Sequence, residues 1–400
     1  MTEHVLIFNA GSSSIKFALF EIVQNIPEQR ASGQVERIGS AAHMTADTAT
    51  GTKITDGPLR DGAALDHAAA CTAILQLIQD NFAGASITAI GHRVVHGGPD
   101  FTDPLIVDDT TLAKLADFSP FAPLHQPHNL AGIQAARTAF PGIMQVACFD
   151  TAFHSNHPWV NDVFAIPRTY YDKGVRRYGF HGLSYDYISG ALEEMAPLLH
   201  AGRVVVAHLG NGASMCGMLG GRSVGSTMGL SALDGLPMGT RCGQIDPGVL
   251  LYMLDQEGMT TAEVAELLYE KSGLLGLSGL SNDMRTLLAS DAAEAAQAID
   301  YYVFRIRREL GALSAVLGGL DALVFTGGIG ENSSVIRERV CAGMAWLGLE
   351  LDHKTNVANQ ELISTSLSRA RILVIPTDEE QVIARAACAL ITEQVAPRQA

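Results

Sequence analysis

Two isolated arginines, Arg93 and Arg241, a histidine set between glycines, His181, and carboxylates at the ends of apolar runs, Asp150 and Glu379, are the side chains of this sequence most suited to chemistry. Three glycine turns accompany them: NAGSSSIK at 9–16, HLGNGAS at 208–214 and TGGIGENS at 326–333. Consecutive backbone N–H groups in such turns form concavities that suit anions. Phosphoryl transfer asks for little covalent chemistry from a protein; it asks for phosphate cradles, a metal ion on oxygen ligands and cations around the migrating group. The inventory meets that need better than it meets hydride transfer or acyl hydrolysis. A guanidinium aimed at the migrating phosphoryl is worth roughly 4–7 kcal/mol, from the rate effect of an arginine finger.

Each feature also has a plainer reading. The 9–16 turn could be an ordinary hairpin turn, and it lacks the GxxxxGK[ST] pattern of a Walker loop. Arg93 lies inside an apolar strand, where it must have a partner, as an ion pair or as an anion clamp. Asp150 could cap the turn that follows it. His92 and His96 stand four apart, yet the β-rich context puts both on one face of a strand with no third metal ligand at a recognisable spacing. Gly328 and Gly330 invite a dinucleotide-binding reading, but Ser333 stands where the third glycine should be. Cys242, beside Arg241, is either a reactive thiol or an inert buried one.

The elements that must position these residues follow from hydrophobic period and glycine punctuation. Apolar runs at 5–8 and 15–20 read as strands flanking the first turn, and 32–58 as further strands of an antiparallel meander. Residues 62–82, 261–270 and 292–317 carry helical spacing. Strands are expected at 87–95, 144–149, 204–219 (broken by the glycine turn), 323–325 and 372–375, with a closing helix at 381–392. The 226–248 stretch lacks helical period and is dense in glycine, the mark of a functional loop. The hairpins around Gly11 and Gly210 share one design half a chain apart, which points to a duplicated fold.

At 400 residues two domains are expected. Hydrophobic residues make up 47% and charged residues 17%, the balance of a packed globular enzyme. A formal charge of −15 disfavours nonspecific binding to nucleic acid or anionic membrane, so an anionic substrate needs local arginines. The six cysteines are scattered with no CxxC, and no run of about 20 apolar residues occurs. No secretory pattern opens the sequence, and a cytoplasmic protein with reduced thiols is expected.

Seven segments together resemble the acetate kinase family: NAGSSSIKF at 9–17, GHRVVHGG at 91–98, FDTAFH at 149–154, RRYGFHGLSY at 176–185, HLGNGAS at 208–214, GTRCGQIDP at 239–247 and TGGIGENS at 326–333. The resemblance implies a duplicated ribonuclease H-like α/β fold of the actin, hexokinase and Hsp70 ATPase superfamily. One domain would comprise 1–150 plus 382–400 and the other, nucleotide-binding, 151–381. It implies a homodimeric enzyme that transfers phosphate reversibly between ATP and acetate, using Mg2+, with Mn2+ able to substitute. By motif position Asn9, Asp150 and Glu379 would stand near the metal, with Glu380 a neighbouring candidate. Ser12, Ser14 and Lys16 would meet the ATP phosphates. His208, Leu209, Gly210, Asn211 and Gly212, then Asp283, Met284 and Arg285, then Gly328, Ile329, Gly330, Glu331 and Asn332 would hold the nucleotide. Arg93 and Arg241 would grip the acetate carboxylate and the phosphoryl oxygens; His181 would hydrogen-bond the migrating group and His125 would support it. Val95, Leu124, Phe180 and Ala232 would wall the methyl pocket. Ala232 follows Ser231 where the family often has a threonine–proline pair, so the pocket is expected to be looser and propionate is the alternative substrate. Gln244 stands where many relatives carry an acid.

Overall fold

A computed structural model describes residues 2–11, 13–59, 65–123 and 125–395. Ser12 and Leu124 lie outside the described residues, as does Ala64, the first apolar position of the 62–82 helical pattern. The chain divides into two compact units, Met1–Ala152 with Asp378–Ala400, and Phe153–Thr377.

The first unit is built on strands β1 (Thr2–Ala10), β2 (Ile15–Val23), β3 (Ile26–Glu36), β4 (His43–Thr48), β5 (Lys53–Pro58), β6 (Ala85–Val94), β7 (Leu105–Ile106) and β8 (Met144–Phe149). They form one sheet in the order β5-β4-β3-β2-β1-β6-β8-β7. β1 to β5 pair antiparallel, while β6 runs parallel to both β1 and β8. The side chains of β1 alternate between two buried faces. Leu6, Phe8 and Ala10 enter a core with Ile74 and Ile78 of the helix His67–Asn81 and Ala135 and Ala136 of the helix Gln126–Ala139. Ile7 faces the C-terminal helix Glu379–Val395, where a Cβ on Gly91 would come within 2.4 Å of Ile383 and 2.9 Å of Ile7. Only glycine fits on β6 at that point.

The second unit has β9 (Arg203–Leu209), β10 (Ala213–Leu219), β11 (Arg222–Ser226), β12 (Ala322–Thr326) and β13 (Arg371–Val374), in the order β11-β10-β9-β12-β13. Its first three strands pair antiparallel; β12 then pairs in parallel with β9, and β13 in parallel with β12. This third–second–first–fourth–fifth order is also the order of β3-β2-β1-β6-β8 in the first unit. The duplicated α/β fold expected from the two hairpins is thus present, one copy per unit. Tyr185, Ile188 and Leu192 of the helix Gly182–Met195 cover one face of the second sheet. Leu313 and Leu317 of the helix Ala293–Leu317 cover the other, beside Gly217. That helix ends at Gly318, whose φ of +71° suits a residue without a side chain.

Two expectations need correction. Asn9 and Ala10 are not turn residues: they extend β1 and pair with Lys16 and Ile15 of β2. His92 and His96 do not share a strand face, because β6 ends at Val94. His92 is buried with Nε2 2.7 Å from Gln145 Oε1, while His96 stacks on Phe118 and its Nδ1 accepts from Gly98 N.

Candidate active site

In the first unit the site is assembled at the carboxyl ends of three parallel-related strands, where α/β sheets present their ligands. Continuing the register of β1 and β6 beyond Phe8 and His92 sets Asn9 beside Arg93. Arg93 in turn pairs with Cys148 on β8, two residues before Asp150. With a period of two, Asn9, Arg93 and Asp150 share the face that Ile7 and Gly91 present to the C-terminal helix, whose first residue is Glu379. Lys16, opposite Asn9, is exposed on the same face.

The arginine has the partners that burial demands. Its Nε lies 3.1 Å from both Asp150 oxygens, its Nη2 2.7 Å from Oδ2, and its Nη1 3.4 Å from Glu379 Oε2. Burial works against the guanidinium charge, but Asp150 and Glu379 outweigh it and its pKa is raised. Burial, with Glu379 and Asp378 close by, raises the carboxyl of Glu380. Asn9, Asp150 and Glu379 offer oxygen only. Among the described residues no group of three His, Cys, Asp or Glu could cage a metal. That donor set fits Mg2+, which takes one or two carboxylates and completes its shell with water and phosphate oxygens.

The turn after β1 is tied down. Gly11 N donates to Ser14 O at 2.8 Å, His67 Nε2 to Gly11 O at 2.8 Å, Asn129 Nδ2 to Ala10 O at 2.8 Å and Ile38 N to Ser13 O at 2.9 Å. Asn129 also accepts from Val95 N at 3.0 Å, and Gln126 pairs with both backbone groups of His96. His125 precedes these two on the helix and is half-buried.

In the second unit His181 and Arg241 converge on one turn. A Cβ on Gly212 would stand 3.1 Å from His181 Nε2 and 3.8 Å from Arg241 Nη2. His181 has a left-handed backbone, φ 57° and ψ 26°, at the start of the helix Gly182–Met195. Its Nδ1 is 2.8 Å from Ser214 Oγ, which also bonds Tyr185, and its ring stacks on His208 with centroids 4.3 Å apart. His208 Nδ1 is held by Ser184 Oγ at 2.8 Å. Arg241 Nη1 donates to the carbonyl of Ala232 at 2.8 Å. Phe180 and Ala232 are buried.

Beside this turn lies a cavity of about 690 Å³, lined by Gly210, Asn211, Asp283, Met284, Arg285, Gly328, Ile329 and Asn332 among others. Its size suits a nucleotide-sized ligand. A Cβ on Gly327 would strike Leu209 O at 2.8 Å, whereas one on Gly328 would meet open space. The first glycine is there for close packing and the second leaves room over the cavity. Asp283 caps the helix Met284–Leu288 and takes the Arg285 guanidinium at 2.6 Å, which, with the Arg285 backbone N–H, lowers its pKa to about 2.

The acetokinase family model matches residues 4–385. The chain belongs to the acetokinase family. An acetate kinase of Methylocella silvestris is 57% identical over 403 residues, 99% of this chain and 100% of its own. Among solved structures, an acetate kinase of Porphyromonas gingivalis superposes with a TM-score of 0.87 at 37% identity, over 97% of this chain and 100% of that one. A propionate kinase of Francisella tularensis does so with a TM-score of 0.89 at 35% identity, over 96% and 98%.

Not every residue named from the acetokinase motifs reaches the cavity. Leu209 and Gly330 are buried. Glu331 turns back, its Oε1 accepting from Gly327 N at 2.8 Å and Thr377 N at 3.2 Å. Conversely, Asn282, Leu288, Ser333, Ser334 and Val335 line the cavity without having been singled out for it. Ser333 had a readable signal: it starts the helix Ser334–Cys341, its Oγ accepting from Ile336 N. Cys242 is the inert thiol of the two alternatives, burial pushing it up to about 11.

Proposed function

We propose that this chain transfers the γ-phosphoryl group of ATP to acetate, reversibly, giving acetyl phosphate and ADP. The names of its relatives support the substrate, and the convergence of His181 and Arg241 on the Gly212 turn beside the cavity is the observation that carries the reading. The motifs set the domains at 1–150 with 382–400 and 151–381; the compact units, Met1–Ala152 with Asp378–Ala400 and Phe153–Thr377, differ from these bounds by two to four residues and put Glu379 with the first. Asn9, Asp150 and Glu379 hold Mg2+, which, when bound, neutralises phosphate charge. Lys16 and Ser14 meet the phosphates, and the residues of the cavity hold the nucleoside.

An acetate carboxylate is already ionised near neutral pH, so no general base is needed. Asp150 fits that requirement, being occupied by Arg93. Arg93 and Arg241 align the carboxylate and the phosphoryl oxygens, with His125 in support. The chemistry is in-line displacement, driven by alignment and by fixed positive charge. Tyr185 is kept a phenol by burial and donates to Ser214; Ser214 then donates to His181 Nδ1. That leaves the proton of His181 on Nε2, the nitrogen beside Gly212, as a donor to the phosphoryl group.

A homodimer is part of the proposal, supported by the exposed Leu251 and Tyr252 of the helix Pro247–Asp255. Purified protein given ATP, Mg2+ and acetate with hydroxylamine should form acetyl hydroxamate; absence of that product overturns the reading. Propionate is the second substrate to try, because the small Ala232 replaces a ring at the expected methyl wall.

A further inference from the structure

A buried polar chain behind His181 is used by none of the steps above. It runs from His157 through Ser223 and His154 to the carbonyl of Phe180, with Asp162 beside its far end. Asp162 Oδ1 is 3.3 Å from His157 Nδ1, though the two atoms are not hydrogen-bonded, and His157 Nε2 is 2.6 Å from Ser223 Oγ. Ser223 Oγ is 2.8 Å from His154 Nδ1, and His154 Nε2 is 3.0 Å from Phe180 O. The order Asp–His–Ser is that of a hydrolase triad, but proton accounting gives it another task.

A carbonyl only accepts, so His154 carries its proton on Nε2 and donates to Phe180 O. Burial, with His157 alongside, lowers His154 to about 3, so the ring is neutral and its Nδ1 accepts from the Ser223 hydroxyl. Ser223 Oγ also lies 2.6 Å from His157 Nε2 and 3.2 Å from the thiol of Cys216, which burial raises to about 12 and keeps protonated. With its one proton committed to His154 and neighbours on its other sides, Ser223 is 4% exposed. It is a spacer, not a nucleophile.

His154 touches both arms that fix His181. It bonds the backbone at Phe180, and it packs so closely on Gly179, φ 74°, that a Cβ there would stand 2.6 Å from the ring. It also meets the ring of Tyr185 edge-on, with centroids 5.5 Å apart, and Tyr185 bonds the Ser214 that holds His181 Nδ1. A left-handed backbone at a residue other than glycine persists only where its surroundings over-determine it. We propose that His154 is the positioning residue for His181, holding its strained backbone through Phe180 and its ring through Tyr185 and Ser214. This rests on His181 acting at the phosphoryl group.

The test compares His154→Leu, His154→Gln and Ser223→Ala with His181→Ala, reading kcat, both KM values, thermal melting and the His181 ring ¹⁵N resonances. A displacement of about 1 Å at a reacting centre costs on the order of 100-fold, so His154→Leu is expected to lose about 30- to 100-fold in kcat with both KM values within about threefold. His154→Gln keeps a donor at the Nε2 position and is expected within about fivefold of native kcat. Its His181 resonances should stay in place while those of His154→Leu shift. A folded His154→Leu with native kcat and unshifted His181 resonances overturns the proposal. Should that variant not fold, Ser223→Ala decides: shifted His181 resonances support the proposal and unshifted ones overturn it. A native kcat in His181→Ala overturns instead the role given to His181, and the resonances still report whether His154 positions it.

Discussion

Arg93 lies side-on against Asp150, with its Nε shared between both carboxylate oxygens and its Nη2 2.7 Å from one of them. The carboxylate is 1% exposed, whereas the guanidinium is 24% exposed and also reaches Glu379 at 3.4 Å. Removing one partner of a buried ion pair costs about 3–5 kcal/mol. Arg93→Ala is therefore expected to lower stability by about 3–5 kcal/mol, because it strips the guanidinium from the more deeply buried charge, and Asp150→Ala by less, about 1–3 kcal/mol, because Glu379 still compensates a guanidinium that reaches solvent. Thermal and urea unfolding of the two variants check the order; an equal or reversed cost contradicts it.

Arg241 is held by the carbonyl of Ala232 within the irregular stretch 227–246, between β11 and the helix Pro247–Asp255, so its removal takes no residue from a strand or helix. Arg241→Ala should lower turnover at least about 100-fold with the melting temperature nearly unchanged. Arg241→Lys should recover little, since an ammonium cannot hold the carbonyl and a phosphoryl oxygen in one plane. Turnover near the native rate in either variant removes Arg241 from the mechanism.

The sheets and the helices His67–Asn81, Thr261–Glu270, Ala293–Leu317 and Glu379–Val395 were legible because their residues obey a single period, whereas the helices Gln126–Ala139 and Gly182–Met195 were not foreseen. The helix Thr261–Glu270 coincides with its pattern, and its capping box, Thr260 with Glu263, lies in plain sequence. The two hairpins announced the duplication for the same reason. What was not legible depended on register or on partners far away in sequence. Nothing local says that Asn9 and Lys16 pair across the turn, or that β6 stops before His96. Glu331, in the middle of a glycine motif, looks like a ligand-facing acid until Thr377 is seen to claim it. Ser223 and His157 are 66 residues apart and carry no motif.

Substrate breadth follows from Ala232. Its side chain is buried next to the carbonyl that anchors Arg241. One methylene in an apolar pocket discriminates by only about 1–3 kcal/mol. Propionate should accordingly be used at about 10- to 200-fold lower kcat/KM than acetate, and Ala232→Val should widen the gap by filling the space the extra methylene occupies. Equal loss on both acids in that variant would remove Ala232 from the pocket wall.

Acid stability carries the mark of His92. Burial lowers its pKa from the ordinary 6.5 to about 4, the bond to Gln145 opposing the fall. The unfolded chain binds a proton at this residue that the folded chain refuses, so stability falls as pH drops from 6.5 towards about 4 and is unaffected above 6.5. By about pH 5 the loss is on the order of 2 kcal/mol. His92→Asn cannot titrate; it should melt lower near neutral pH yet show a shallower decline across that window. A parallel decline in the two proteins would show that other groups govern it.

Gln244 sits at a place where a charge is already buried and underpaired. Arg305 is 3% exposed and donates to Gly235 O at 3.1 Å, Tyr301 Oη at 3.0 Å and both oxygens of Gln244 at 3.2 and 3.3 Å. Its nearest carboxylate oxygen, on Glu309, is 3.8 Å away. Arg308 also donates to Gln244 Oε1. The desolvation of Arg305 is therefore already incurred, and mostly neutral oxygens answer a full charge. Gln244→Glu keeps the shape and turns side-chain contacts that are charge-assisted only on the donor side into ion pairs with two guanidinium groups. A gain of about 1–2 kcal/mol is expected, a rise of roughly 2–6 °C in melting temperature for a unit of this size. Turnover should hold, since the introduced carboxylate would bind the same two arginines and leave the Arg241 backbone in place. A lower melting temperature would mean that burying the new carboxylate costs more than the two guanidinium groups return.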